Sequence, residues 1–214
     1  MQVDNLGAVG DRLLFKRMGV VEASRLFEER ALWTIWTHRH EDPREDPGAT
    51  KFGGPTRHKR VFSYAEYHLS GAFLDRSAPL EGALLQENGA RGPHFEKTPL
   101  RPVPLPINQR VERSACSEFL LLTELCALIS EAGVQEVGDR CEVSGTVRLY
   151  STGPSCVSCV ATVWQFCLRF PGVVVEVGYS KTQDTVLTEL RRINGVAGAG
   201  GTAPFVVERT LLWW

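Results

Sequence analysis

Two stretches of the chain repeat their apolar residues with a helical period, and a strand-like stretch separates them. From Ser114 to Ala132, Phe119, Leu122, Leu125, Cys126 and Ile129 share one face, and Gly133 follows as a stop. Glu142 to Ser151 reads as a strand, and Cys156 to Phe170 as a second apolar helix halted by Pro171-Gly172. Val173 to Tyr179 is a continuous β-branched run, the pattern of a strand buried on both faces. Thr182 to Ile193 predicts a shorter helix, Gly195 to Gly201 a loop, and Phe205 to Trp214 a last strand. The order α-β-α-β-α-β from Ser114 onward predicts an α/β fold. The expected architecture is a three-layer α-β-α sandwich around a central mixed sheet of about five strands.

The first half is less periodic. Met1 to Val20 has little pattern and reads as an arm. Val21 to Thr37 predicts an amphipathic helix, with Leu26, Phe27, Ala31, Leu32, Ile35 and Trp36 recurring at three and four, packed on one face of the sheet. His38 to Arg60 is a loop in which acid (Glu41, Asp42, Glu45, Asp46) precedes base (Arg57, His58, Lys59, Arg60). Val61 to Phe73 alternates loosely and suggests a strand, or a hairpin around Ser70-Gly71. Asp75 to Pro106 is broken by Pro and Gly, which suits an active-site wall or a partly disordered loop. Pro104 to Asn108 is expected as a short edge strand leading into the next helix. There is no internal repeat.

Composition narrows the class. A chain of 214 residues can bury a sizeable core. Its net charge of −1 supplies no global basic field to attract nucleic acid, although a locally charged channel remains allowed. No secretory signal pattern opens the chain, and no apolar run approaches the ~20 residues of a membrane span. Six cysteines without such a signal point to metal or catalytic use, and the expected compartment is reducing and intracellular, cytoplasmic or nuclear.

Three of those cysteines stand at predicted helix starts. Cys156 and Cys159 open one helix three residues apart, so their sulfurs project to one side, and Cys116 opens the other. A helix N-terminus favours thiolate because its unpaired N–H groups and dipole stabilise negative charge. Three protein ligands leave one tetrahedral position for water, the layout of a catalytic zinc, whereas a structural zinc takes four. Glu118 follows Cys116 by two residues, and in a first turn both side chains can aim past the helix end. Three thiolates on Zn²⁺ leave a charge of −1 and acidify a bound water weakly, so a carboxylate base is the more needed. Two other readings remain: cysteines buried in an apolar core, as expected for Cys126, Cys141 and Cys167, or a structural site completed by Cys141 or a distant histidine.

Cys116-Ser117-Glu118 and Pro154-Ser155-Cys156-Val157-Ser158-Cys159 resemble the H-x-E…P-C-x-x-C signature of the cytidine deaminase superfamily, in the variant with Cys in place of the first His. Nucleoside cytidine deaminases and certain bacterial toxin deaminases carry that variant. Leu149 to Cys159 also resembles the strand-to-helix passage of tRNA adenosine deaminases, with Ser155 inserted between the Pro and the first Cys. The resemblance covers about residues 58 to 214, leaving 1–57 as an N-terminal arm, helix and charged loop. It implies zinc on Cys116, Cys156 and Cys159, Glu118 as proton shuttle, and Asn108 as a contact to the nucleoside. A helix at 182–193 between parallel last strands is similar to the tRNA-adenosine, deoxycytidylate and polynucleotide enzymes.

The implied reaction is hydrolytic deamination of cytosine at C4, most readily in single-stranded DNA, since a base inside a duplex is out of reach. Stacking partners are expected from Tyr150 and the aromatics of 62–73, and phosphate contacts from Arg57, Lys59, Arg60, Arg110 and Arg113. Ser155, beside the first ligand of its motif, is a further substrate-contact candidate. A deaminase of free nucleosides, nucleotides or tRNA fits the near-neutral charge, and a non-catalytic zinc-stabilised interaction domain is the third reading.

Overall fold

A computed structural model describes residues 14–41, 61–71, 79–89, 94, 96–104, 112–133, 136–137 and 140–179. Strands β1 (Val21–Glu22), β2 (Phe62–Gly71), β3 (Leu80–Glu87), β4 (Val143–Ser151) and β5 (Gly172–Tyr179) form one sheet in the order β1-β5-β4-β2-β3. β2 runs antiparallel to both β3 and β4, whereas β4, β5 and β1 are mutually parallel. Helices α1 (Arg25–Glu41), α2 (Ser117–Glu131) and α3 (Val157–Arg169) flank the sheet. The fold is α/β with a five-stranded mixed sheet, consistent with the three-layer sandwich the element order predicts.

The period of two along each strand sorts the core into its layers. Phe62 and Tyr64 of β2 and Tyr150 of β4 pack with Phe27, Ala31 and Ile35 of α1. Ala65 and Leu69, Val147 and Leu149, and Val173, Val175 and Val177 point the other way, into a core shared with Leu121, Leu122 and Leu125 of α2 and Val163 and Phe166 of α3. Phe166 is fully buried and lies 4.7 Å from the Phe170 ring, centroid to centroid. Phe166→Ala is expected to lower unfolding free energy by about 3–5 kcal/mol. Urea denaturation checks this, and a loss below about 1 kcal/mol would mean that this layer is not tightly packed.

Several elements differ from the expectation. α1 begins at Arg25, because Val21 and Glu22 are drawn into the sheet opposite Glu176 and Val177. Ser24 then caps the helix: its Oγ accepts from the Phe27 N–H at 3.3 Å and its carbonyl from the Glu28 N–H. β2 runs through Ser70 to Gly71 without turning, and its hairpin partner is β3, inside the stretch expected to be loop. β3 is an edge strand that buries Leu80 and exposes Glu81, Gly82 and Ala83, so half of the alternating signal is missing. A 3₁₀ turn at Arg113–Ala115 precedes α2, which starts at Ser117 and gives way to Gly133 at φ 77°. Pro104 is irregular, and the rest of the expected edge strand at 105–108 lies outside the described residues, as do the segments 182–193 and 205–214. No helix among the described residues is long and apolar enough to cross a membrane.

Candidate metal centre

β4 ends at Ser151, and residues 152–155 carry the chain into α3 with Cys156 as its N-cap. The Cys156 sulfur accepts the Cys159 backbone N–H at 3.4 Å, the capping bond a serine oxygen would otherwise make. Cys116 is the N-cap of α2 and has no side-chain cap bond. α2 and α3 contact one another on the same face of the sheet, and their starts meet where β4 ends and β2 begins. The cysteines of the two separate motifs are thus brought together by the fold.

The Sγ atoms of Cys116, Cys156 and Cys159 all lie within 4.8 Å of one another. Cys156 and Cys159 sulfurs are 3.2 Å apart. Tetrahedral zinc holds sulfur at about 2.3 Å, which spaces ligand sulfurs by about 3.8 Å, so shifts of about 1 Å or less bring this set to that geometry. The three cysteines can hold a metal ion, and soft sulfur donors suit zinc far better than magnesium or calcium. Among the described residues no histidine joins the cluster. His68 Nδ1 faces Glu81 Oε2 at 3.0 Å, His94 Nε2 faces Glu124 Oε2 at 3.5 Å, and the His38 ring stands edge-on to Phe62. Cys126 is core and Cys167 packs against it, as expected. Cys141 lies in a two-residue ribbon with Glu136–Val137.

The three sulfurs behave as a unit that shares negative charge. Hydrogen bonds from the Cys116 and Cys159 thiols, then the Cys159 N–H and the nearby Arg113 charge, hold Cys156 down to about 2 against the opposing effect of burial. Cys116 is pushed up to about 12, first through its bond to Cys156, and Cys159 is pushed well above the ordinary thiol range by both neighbouring thiols and by burial. The negative charge concentrates where a cation would sit.

Glu118 stands beside this cluster and is 4% exposed. Its Oε2 lies 3.4 Å from Cys159 Sγ and accepts from the Ser117 hydroxyl at 3.2 Å. Burial, then the charge on Cys156, raises its pKa above the usual carboxylate range.

The remaining predicted contacts fall in different places. Ser155 is buried in the turn directly before Cys156. Tyr150 belongs to the opposite layer, packed with α1, because residues 149 and 151 take the face that carries the cysteines. Phe62 and Tyr64 share that fate. Arg113 is buried at 8% exposure in the turn before Cys116, so its charge serves the thiol cluster and is not spread on a surface for phosphates. Asn108, Arg57, Lys59, Arg60, Arg110 and Phe73 lie outside the described residues. Sequence reasoning missed Ser63, whose Oγ lies 2.8 Å from Ser117 Oγ beneath the centre. A small hydroxyl between Phe62 and Tyr64 in an otherwise apolar run was the available signal.

No family model, curated protein or solved structure matches the chain. Its chemistry rests on the site itself: three convergent thiols with one buried carboxylate alongside.

Proposed function

We propose that this chain is a zinc-dependent hydrolytic deaminase that converts cytosine to uracil, with single-stranded DNA as the favoured substrate. The observation that carries the reading is the meeting of Cys116, Cys156 and Cys159 with Glu118 at two adjacent helix starts. Zinc bound to the three thiolates would supply Lewis acidity at its open position. Glu118 takes a proton from the attacking water and delivers it to the departing amino group, so cytosine and water become uracil and ammonia. A carboxyl whose proton affinity is raised by burial holds a proton more readily than an exposed one, which suits a group that must take up and release one. Free thiols packed this closely fit a reducing compartment.

The net charge of −1 favours a second reading, a deaminase of free cytidine nucleotides or of RNA and tRNA bases. The assay therefore has three arms: the purified chain is incubated with single-stranded DNA, with RNA and with free cytidine, and C-to-U change and ammonia are scored. Turnover on DNA at least tenfold above the other arms supports the first reading. Turnover confined to RNA or free cytidine selects the second. Bound zinc with no turnover in any arm leaves a zinc-stabilised interaction domain and ends the enzyme reading.

A further inference from the structure

We infer that Ser63 and Ser117 form a directional hydroxyl pair that anchors Glu118, holding its carboxylate beside the metal centre as a proton carrier and off the metal as a fourth ligand. The inference rests on the deaminase reading for its effect on turnover, but the anchoring itself is a matter of geometry.

The layer between the sheet and α2 is apolar except at one end. There Ser63 of β2 and Ser151 of β4 are direct cross-strand partners, and both are buried, at 0% and 1% exposure. Ser63 Oγ lies 2.8 Å from Ser117 Oγ, and Ser117 Oγ donates to Glu118 Oε2 at 3.2 Å. Each hydroxyl carries a single proton. With the Ser117 proton committed to the carboxylate, Ser63 must be the donor to Ser117, so the chain runs one way, from the sheet to Glu118. The Ser151 hydroxyl is buried beside this pair with no hydrogen-bond partner among the described residues, extending the polar floor by one more group.

Packing alone does not ask for hydroxyls at this place. Alanine would fill the same space without the cost of burying polar groups. What the hydroxyls supply is orientation. Oε2 sits 3.4 Å from Cys159 Sγ, close enough that a small rotation would let it bind an ion held by that sulfur. Carboxylate oxygens are ordinary zinc ligands, and a fourth protein ligand would close the position that catalysis needs. The Ser117 proton engages that oxygen, and Ser63 fixes Ser117.

The test uses the full chain and three variants, Ser63→Ala, Ser63→Thr and Ser117→Ala, each assayed for zinc content, for kcat and KM on a cytosine-containing single-stranded DNA, and for the visible spectrum of the Co²⁺-loaded protein. Ser63→Ala and Ser117→Ala are expected to keep one metal per chain and a KM within about twofold of wild type, with kcat lower by about tenfold to a hundredfold. Ser63→Thr, which restores the hydroxyl, is expected to recover most of that loss. In Ser117→Ala the ligand-field bands of Co²⁺ should shift as the released carboxylate joins the metal. Unchanged kcat and an unchanged Co²⁺ spectrum in both alanine variants would overturn the inference, as would a loss expressed only in KM. If wild type deaminates none of the substrates, the deaminase reading fails on its own, and the Co²⁺ spectrum of Ser117→Ala still decides whether the hydroxyl holds Glu118 off the metal.

Discussion

Glu118→Ala is expected to bind one zinc per chain, to fold as wild type does, and to lose deamination by a factor on the order of 10³. The metal survives because the three sulfurs come from Cys116, Cys156 and Cys159 and the carboxylate is not one of them. Turnover fails because the variant has no group left at the site to move a proton from water to ammonia. Glu118→Gln sharpens the result: it keeps the volume and an oxygen that can accept from Ser117 Oγ, yet it cannot carry the proton, so it should be as inactive as the alanine variant. Full activity in either variant would remove Glu118 from the mechanism.

The stability of Glu118→Gln should move the opposite way from its activity. Burial raises the Glu118 pKa in the folded chain above its unfolded value, so the folded state binds that proton more tightly. At any pH above the unfolded value the ionised carboxylate therefore costs stability, and the cost fades as pH falls through the raised folded value. Removing the group removes the cost. Glu118→Gln should be at least as resistant to urea at neutral pH as wild type, the usual sign of a residue retained for chemistry at the expense of the fold.

How much of this was legible in the sequence follows from which forces are local. Helices α2 and α3 and strands β4 and β5 are apolar enough that periodicity alone places them within a few residues. The convergence of Cys116, Cys156 and Cys159 was legible because they stand at helix starts that the same periodicity marks. β3 was not, since an edge strand buries too little to show a period. Tyr150 was misjudged by proximity: it neighbours the second motif along the chain, but the pleat sends it to the α1 face while Leu149 faces α2 and α3. Arg113 looked like a surface cation, and only the 3₁₀ turn before Cys116 reveals it as buried. Ser63 lies 54 positions from Ser117, and no local signal joins them. The packing of α2 against β2, a tertiary fact, does.

Stripping the metal, or replacing Cys116 with serine, is expected to abolish activity and to lower the melting temperature together. Zinc at a thousandfold its Kd contributes about 4 kcal/mol to the folded state. For a chain of this size that corresponds to roughly 10 °C in the midpoint. The Cys116 variant is the more decisive arm, because Cys156 and Cys159 belong to one helix and could retain a metal without it. If zinc ties the start of α2 to the start of α3, Cys116→Ser loses both the ion at micromolar concentration and the thermal increment; if zinc sits on the C-x-x-C pair alone, the variant stays loaded and melts like wild type. The pH dependence has a fixed sign as well. The bound ligands are thiolates, so protons compete with the metal, and the zinc-dependent increment in melting temperature should shrink as pH falls below neutrality. Calorimetric melts with and without a chelator, run at several pH values beside metal analysis, separate a three-sulfur centre from a two-sulfur one.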